Sequence, residues 1–141
     1  MKINRRAILQ GMLVFIALYC IHLLVLPTVA ESFAKGDNAS VMFGVHQFLG
    51  LATCLASGYV AGSIAGESGF FYGLGVGALG TLLSALAAVI WSMTMGSTFP
   101  ELQRLPFWIM VNGFLSAFAG LLATYAEDDG STLLDRTDVD R

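Results

Sequence analysis

One ridge of residues at an unbroken four-residue spacing, most of them small, dominates the sequence from Ser40 to Gly66. Its members recur at every fourth position, which is the spacing of a continuous ridge on an α-helix. The surrounding stretch is apolar and contains no Asp, Glu, Lys or Arg. Glycines in this GxxxG pattern leave a groove in which a second helix can approach closely, as helices do within membranes. The ridge consists of His46, Gly50, Cys54, Gly58, Gly62 and Gly66.

The composition is that of a membrane protein. Of the 141 residues, 56% are hydrophobic and 12% are charged, which is about half the charged fraction of a soluble domain. Four apolar segments are long enough to cross a hydrocarbon core of about 30 Å. We therefore predict an all-α, four-helix transmembrane bundle with up-down-up-down topology. The predicted helices cover about 7–30, 40–65, 70–95 and 105–125, within a membrane domain of residues 1–126.

The placement of lysine and arginine predicts the orientation. With a cytoplasmic N-terminus, five basic residues lie inside, and only Lys35 and Arg104 lie outside, in agreement with the positive-inside rule. Both termini are then cytoplasmic, and the expected location is the bacterial cytoplasmic (inner) membrane. The first apolar run exceeds the roughly 7–15 residues of a signal-peptide core, so we expect an uncleaved first helix. Residues 127–141 are predicted to form an acidic, disordered cytoplasmic tail.

Small residues continue into the third and fourth helices and predict tight packing. A short turn at Glu67 joins the second and third helices into an antiparallel hairpin. The third helix carries two ridges, which begin at Gly69 and Gly80. Three interpretations fit: packing within the bundle, a surplus ridge for another chain, or helices that bend or slide, as transporters need. The predicted packing residues are Gly50, Gly58, Gly62, Gly66, Gly69, Gly73, Gly77, Gly80, Ser84, Ser116 and Gly120.

Three polar residues are predicted to form a cluster inside the membrane. Counted at 1.5 Å per residue, His22, His46 and Asn112 each lie about 9–12 Å from the outer end of their helix. The simplest interpretation is a hydrogen-bonded cluster that fixes the helix register. Intramembrane polar residues are also functional candidates. The alternative for the two histidines is a b-type haem held between them, because histidine is an axial ligand of haem iron.

The sequence contains no motif of an enzyme. Cys20 and Cys54 fall inside predicted helices, and they form neither a CxxC site nor a disulfide framework. No nucleophile–base pair, metal cluster or phosphate loop is visible, so we assign no catalytic residue and no metal ligand. We expect no cofactor, apart from the haem alternative. The net charge of −3 does not indicate a nucleic-acid partner.

The hairpin GYVAGSIAG (58–66) followed by GFFYGLGVG (69–77) resembles a pattern in a family of small four-helix bacterial integral membrane proteins. Those proteins carry a glycine-rich hairpin between their second and third helices, after a basic N-terminus and a bulky first helix. The similarity covers about the middle third of the chain, and Ser57 replaces the first glycine of the pattern. The family has no established activity, so the resemblance implies an architecture and no chemistry.

Three functional hypotheses follow. The leading one is a non-catalytic multi-pass membrane protein that acts through close helix contacts, as a homo-oligomer or as an accessory subunit of a membrane complex. Its partners are the lipid bilayer and either a second copy or another membrane protein. The second hypothesis is a small transport or permeation protein, with His46, Asn112 and the glycine ridges along the path. The third is the bis-histidine haem protein.

Overall fold

The computed structural model describes residues 4–33, 39–95 and 102–138. The described residues are helical, with no strand among them, which confirms the all-α class. Helix α1 spans Arg5–Phe33, α2 spans Ala39–Ala65, α3 spans Gly69–Met95 and α4 spans Leu105–Asp138. The short 3-10 turns Gly66–Ser68 and Leu102–Arg104 precede α3 and α4.

Three stretches of this structure are long and apolar enough to cross a membrane. They are Arg5–His22, Gly44–Thr94 and Leu102–Ala126. The middle stretch has 51 residues and contains most of α2, the turn and nearly all of α3, whereas a single crossing needs about 20 residues. The length and apolar composition of these helices are those expected of a membrane protein.

Helix α4 is longer than predicted. It continues beyond residue 125 to Asp138, over residues where the sequence predicts a disordered tail. Residues 126–138 contain no proline, and the single Gly130 costs a helix only about 1 kcal/mol relative to alanine. Residues 139–141 lie outside the described part. All other predicted helix ends fall within three residues of the observed ones.

Helix α4 packs against glycines of both α2 and α3. A methyl group added to Gly58 or Gly73 would overlap the backbone of Ser116, and one added to Gly62 would overlap the backbone of Gly120. A methyl group on Gly69 would likewise overlap Gly120 and Thr124, and one on Gly77 would overlap Ser116 and Asn112. Because backbone cannot move aside as a flexible side chain can, only glycine permits these approaches. The predicted ridges thus meet within one chain.

The second ridge of α3 faces α1. A methyl group on Gly80 would overlap the ring of Phe15, which is 5% exposed. The first ridge of α3 is therefore covered by α4 and the start of the second by α1, whereas Ser84 and Ala88 further along the second ridge border an open space between the helices. On the opposite face of α1 the side chains are bulky and exposed, as suits contact with lipid: Leu9, Leu13, Ile16 and Ile21.

Two of the predicted packing glycines have open space where a side chain would begin. A methyl group on Gly50 or Gly66 would meet no described atom within 4 Å. Gly50 lies beside an open space between the helices. Gly66 has a φ of +63°, where α2 ends and the 3-10 turn begins. Glycine adopts this left-handed conformation without the steric cost of a Cβ, so Gly66 serves the turn.

We expect Gly66→Ala to lower the free energy of unfolding by about 1–2 kcal/mol, because alanine is strained in the left-handed region. Gly66→Asn should cost less, since asparagine tolerates that conformation. Gly44→Ala is the control, because Gly44 is equally uncrowded but has an ordinary helical φ. Denaturant unfolding in detergent, followed by circular dichroism, measures all three. An equal loss of unfolding free energy in Gly66→Ala and Gly44→Ala would contradict the role assigned to Gly66 in the turn.

Hydrogen bonds join the helices at the end of the bundle where α1 begins, which we call the crosslinked end. The backbone N–H of Asn4 donates to the Tyr72 hydroxyl at 2.5 Å, and the Asn4 amide donates to the Ile64 carbonyl at 3.1 Å. The Thr124 hydroxyl donates to the Gly66 carbonyl at 2.9 Å. These bonds connect the start of α1 to α2 and α3, and α4 to the turn between them.

Candidate functional site

The half of the bundle away from the crosslinked end contains a cavity of about 750 Å³. All four α-helices contribute to its wall. The volume lies within the roughly 300–1,000 Å³ of small-molecule sites. Gly50 lies in the wall where the α2 ridge has no helix directly opposite. The polar side chains of the wall are Tyr19, His22, His46, Gln47, Thr53, Thr81, Ser84, Arg104 and Asn112.

The two histidines form a pair across α1 and α2. His22 Nε2 and His46 Nδ1 are 3.0 Å apart and share a hydrogen bond. The ring centroids are 4.8 Å apart, with the planes at 77°. His22 is 5% exposed, whereas His46 is exposed and lines the cavity. The two histidines lie at the same depth because α1 and α2 are antiparallel neighbours in this half of the bundle.

Asn112 belongs to a second pair, across α4 and α3. Its Nδ2 donates to Thr81 Oγ1 at 3.0 Å, and the Thr81 hydroxyl in turn donates to the Gly77 carbonyl at 2.8 Å. The structure therefore divides the predicted cluster into a histidine pair and an amide–hydroxyl pair, both in the cavity wall. Sequence reasoning missed Thr81 as a polar partner, although its place one turn after Gly77 on the α3 ridge was a usable signal.

Two serines from the predicted packing set have different roles. Ser116 is fully buried, and its hydroxyl donates to the Cys54 carbonyl at 2.8 Å, which ties α4 to α2. Ser84 is half-buried and lines the cavity. Its hydroxyl donates to the Thr81 carbonyl of its own helix at 2.9 Å. Ser116 is thus a packing residue, and Ser84 is part of the site.

The histidine pair does not fit a haem held between its members. Axial ligands occupy opposite faces of the haem iron, so their nitrogens must be separated by the porphyrin plane. His22 Nε2 and His46 Nδ1 instead bond directly to each other at 3.0 Å. Among the residues that the structure describes, no group of three or more His, Cys, Asp or Glu side chains could hold a metal ion.

The wall combines hydrogen-bonding groups with aromatic surface. Phe15, Phe48 and Trp108 line the cavity beside the polar residues, and Arg104 provides a fixed positive charge. A site with apolar walls and a few placed polar groups suits an amphipathic small molecule. Comparison with known proteins adds no assignment, because no family model, curated protein or solved structure matches the chain.

Proposed function

We propose that this chain is a four-span protein of a bacterial cytoplasmic membrane, with both termini in the cytoplasm. Helices α2 and α3 are each 27 residues long, which exceeds the roughly 20 needed for one crossing. The three-residue turn between them makes them antiparallel neighbours. Together with the five basic residues expected inside, this topology supports an orientation with the crosslinked end in the inner half of the membrane and the cavity in the outer half.

We propose further that the cavity binds a small amphipathic molecule, as a step in its transport. The observation that carries this proposal is the cavity itself, because all four helices place polar side chains in its wall at membrane depth. Polar residues at such depth face protein or an aqueous space and mark substrate pathways. Binding sites between helices are also the arrangement found in membrane transporters.

The transport proposal takes the place of the homo-oligomer or accessory-subunit hypothesis as the leading one. That hypothesis was motivated by a ridge left free on α3. The contacts of Gly73 and Gly77 with α4, and of Gly80 with α1, weaken that motivation, and the part of the second ridge formed by Ser84 and Ala88 lines the cavity. The cavity presents polar and aromatic side chains to a ligand, whereas the packed glycines of the ridges are not accessible to a partner.

The proposal predicts that the cavity is accessible from outside the cell. In a Cys20→Ala/Cys54→Ala background, Ser84→Cys should react with a charged, membrane-impermeant thiol reagent added to intact cells. Ser84 lines the cavity, so a thiol there meets water and reagent. Labelling is measured by the mass shift of the purified protein.

Leu86→Cys in the same background is the matched control. Leu86 lies two residues along α3 and is 55% exposed on the outer surface of the bundle, where lipid surrounds it. We expect little labelling there. Equal labelling at both positions, or an unreactive Ser84→Cys, contradicts an open cavity. Labelling of Ser84→Cys in inverted membrane vesicles alone contradicts the proposed orientation.

A further inference from the structure

The exposed part of the cavity wall lies on one side of the bundle. Phe48 of α2 is 69% exposed and Trp108 of α4 is 38% exposed, and both line the cavity. The exposed lining residues belong to α2, to α4 or to the turn before α4, whereas those of α1 and α3 are buried or half-buried. Among the residues that the structure describes, the wall is therefore open between α2 and α4.

Nearer the crosslinked end, the same two helices are packed closely and in register. A methyl group on Gly58 would overlap the backbone of Ser116, and one on Gly62 would overlap the backbone of Gly120. Because both contacts advance by four residues in the same direction, α2 and α4 run parallel with ridge against ridge. The bond from the Ser116 hydroxyl to the Cys54 carbonyl, at 2.8 Å, fixes this register.

The close packing of α2 against α4 does not continue to Gly50. Two further steps of four residues along each helix lead from Gly58 to Gly50 and from Ser116 to Trp108, so Gly50 and Trp108 are level with each other. A methyl group on Gly50 would nevertheless meet no described atom within 4 Å. The two helices thus separate here, and we call the gap between Gly50 and Trp108 the slot.

The other sides of the cavity are joined by contacts between helices. The histidine pair joins α1 to α2, and the bond between Asn112 and Thr81 joins α4 to α3. The ring of Phe15 lies against Gly80 where α1 meets α3. These contacts favour the slot as the entrance to the cavity.

The slot lies at the depth of the hydrocarbon core in the proposed arrangement. Gly50 and Trp108 are each about 9 Å, at 1.5 Å per residue, from the start of their apolar stretches, Gly44–Thr94 and Leu102–Ala126. The exposed side chain beside Gly50 on α2 is that of Leu51, which is apolar, as contact with lipid requires. A gap at this depth opens toward acyl chains and not toward bulk water.

Building on the proposed binding function, we propose that the ligand is a single-chain amphiphile dissolved in the bilayer, and that it enters the cavity sideways through the slot. Its hydrocarbon chain passes between Gly50 and Trp108 and lies along the aromatic part of the wall. Its polar head lies among the hydroxyl and amide side chains of the wall, which include Gln47, Ser84 and Asn112.

The size and the lining of the cavity agree with one chain and one small head. The volume of about 750 Å³ is that of a site for one small molecule, bound by apolar walls and a few polar groups. A chain that moves from lipid into the cavity gains no hydrophobic free energy, because lipid is equally apolar. Retention of the ligand therefore depends on the fit of the chain and on hydrogen bonds to the head.

The test is photo-crosslinking of the full chain in lipid nanodiscs, located residue by residue with tandem mass spectrometry. The membrane probe is hexadecanol with a diazirine at mid-chain, and the water-soluble probe is butanol with a diazirine. We expect the hexadecanol probe to label Ser84 and Ala88, which line the cavity, as well as Leu86 on the lipid-facing surface. The measured quantity is the ratio of cavity labelling to Leu86 labelling.

Gly50→Phe fills the slot and should lower this ratio for hexadecanol by at least about tenfold, which corresponds to about 1.4 kcal/mol. The added ring has room, because a methyl group on Gly50 meets no described atom within 4 Å. Gly44→Phe is the matched control and should leave the ratio unchanged. Gly44 is equally uncrowded and is not among the described lining residues.

Trp108→Ala widens the slot from its other side and should raise the ratio. Trp108 is exposed, so this variant keeps the packed half of the bundle intact. If Gly50→Phe does not fold, Trp108→Ala decides the question, since an unchanged ratio in that variant overturns the inference.

The outcomes separate this inference from the proposed function. Labelling of Leu86 without labelling of Ser84 or Ala88 by hexadecanol overturns the inference, and so does a ratio that a folded Gly50→Phe leaves unchanged. If the butanol probe alone labels the cavity and Ser84→Cys reacts in cells, the cavity is a binding site reached from water. If neither probe labels the cavity and Ser84→Cys is unreactive, the proposed binding function fails as well.

Discussion

Gly73→Ala is expected to destabilise the bundle by about 3 kcal/mol or more, at the upper end of the range for overpacking. A Cβ at this position would overlap the Ser116 carbonyl and approach the Ala117 Cα. Both are backbone atoms of α4, so relief requires α3 and α4 to move apart along their length. That movement would also loosen the contacts of Gly69 and Gly77 on the same ridge.

Gly75→Ala is the matched control for this change. Gly75 lies in the same helix two residues away, and a methyl group there meets no described atom within 4 Å. The substitution should leave the protein equally stable or stabilise it by up to about 1 kcal/mol, through the helix preference of alanine. Thermal and denaturant unfolding in detergent compare the two variants. If Gly73→Ala were as stable as Gly75→Ala, α3 and α4 would not be packed as described.

The Gly73→Leu/Gly77→Leu variant extends the same argument. If the ridge served a partner, this variant would fold and lose only its assembly. Because α4 covers the ridge, we expect loss of the folded monomer itself.

Ser116→Leu should abolish folding under conditions in which Ser116→Ala folds. Ser116 is fully buried, and its backbone faces Gly58 of α2 and Gly73 of α3. A leucine side chain would therefore be forced between three helices, with overpacking on more than one side. Ser116→Ala only removes the hydrogen bond to the Cys54 carbonyl. Such bonds within membranes contribute about 0.6 kcal/mol on average and about 1.7 kcal/mol at most.

The measurement for this series is the yield of monodisperse protein, followed by unfolding of whatever folds. Phe114→Leu is the control, since Phe114 lies on the same helix and is 56% exposed. It should behave as the unaltered protein does. A well-folded Ser116→Leu variant would contradict the close approach of the three helices at this position.

The four-residue periodicity predicted most of the packing because it is a local property of a helix. It identified Gly58, Gly62 and Gly73 as sites of close approach, and the structure places all three against α4. Periodicity marks a face but not the element that covers it. It therefore could not show that α4 covers Gly73 and α1 covers Gly80, or that Gly50, in register with Gly58, faces open space.

The candidate site was predicted only in part, for a similar reason. Counting residues placed His22 and His46 at one depth, and the structure brings them into direct contact. Asn112 lies in the same wall but bonds to Thr81 instead, because its direction depends on the rotation of α4 about its axis. The cavity itself is left where four helices fail to fill the space between them, and no single segment of sequence encodes that space.

The two halves of the bundle hold α2 differently. Its end near Ile64 is held by Asn4, while its other half borders the cavity. The last described tie of α2 to α4 is at Cys54, whose carbonyl accepts the Ser116 hydroxyl, and from there to His46 the helix extends about 12 Å, at 1.5 Å per residue. A tilt of about 10° around that tie would move His46 by about 2 Å, enough to break its 3.0 Å bond to His22. The histidine bond is thus the described side-chain contact that joins α1 to the part of α2 beside the cavity, while the rest of α2 is fixed against α4.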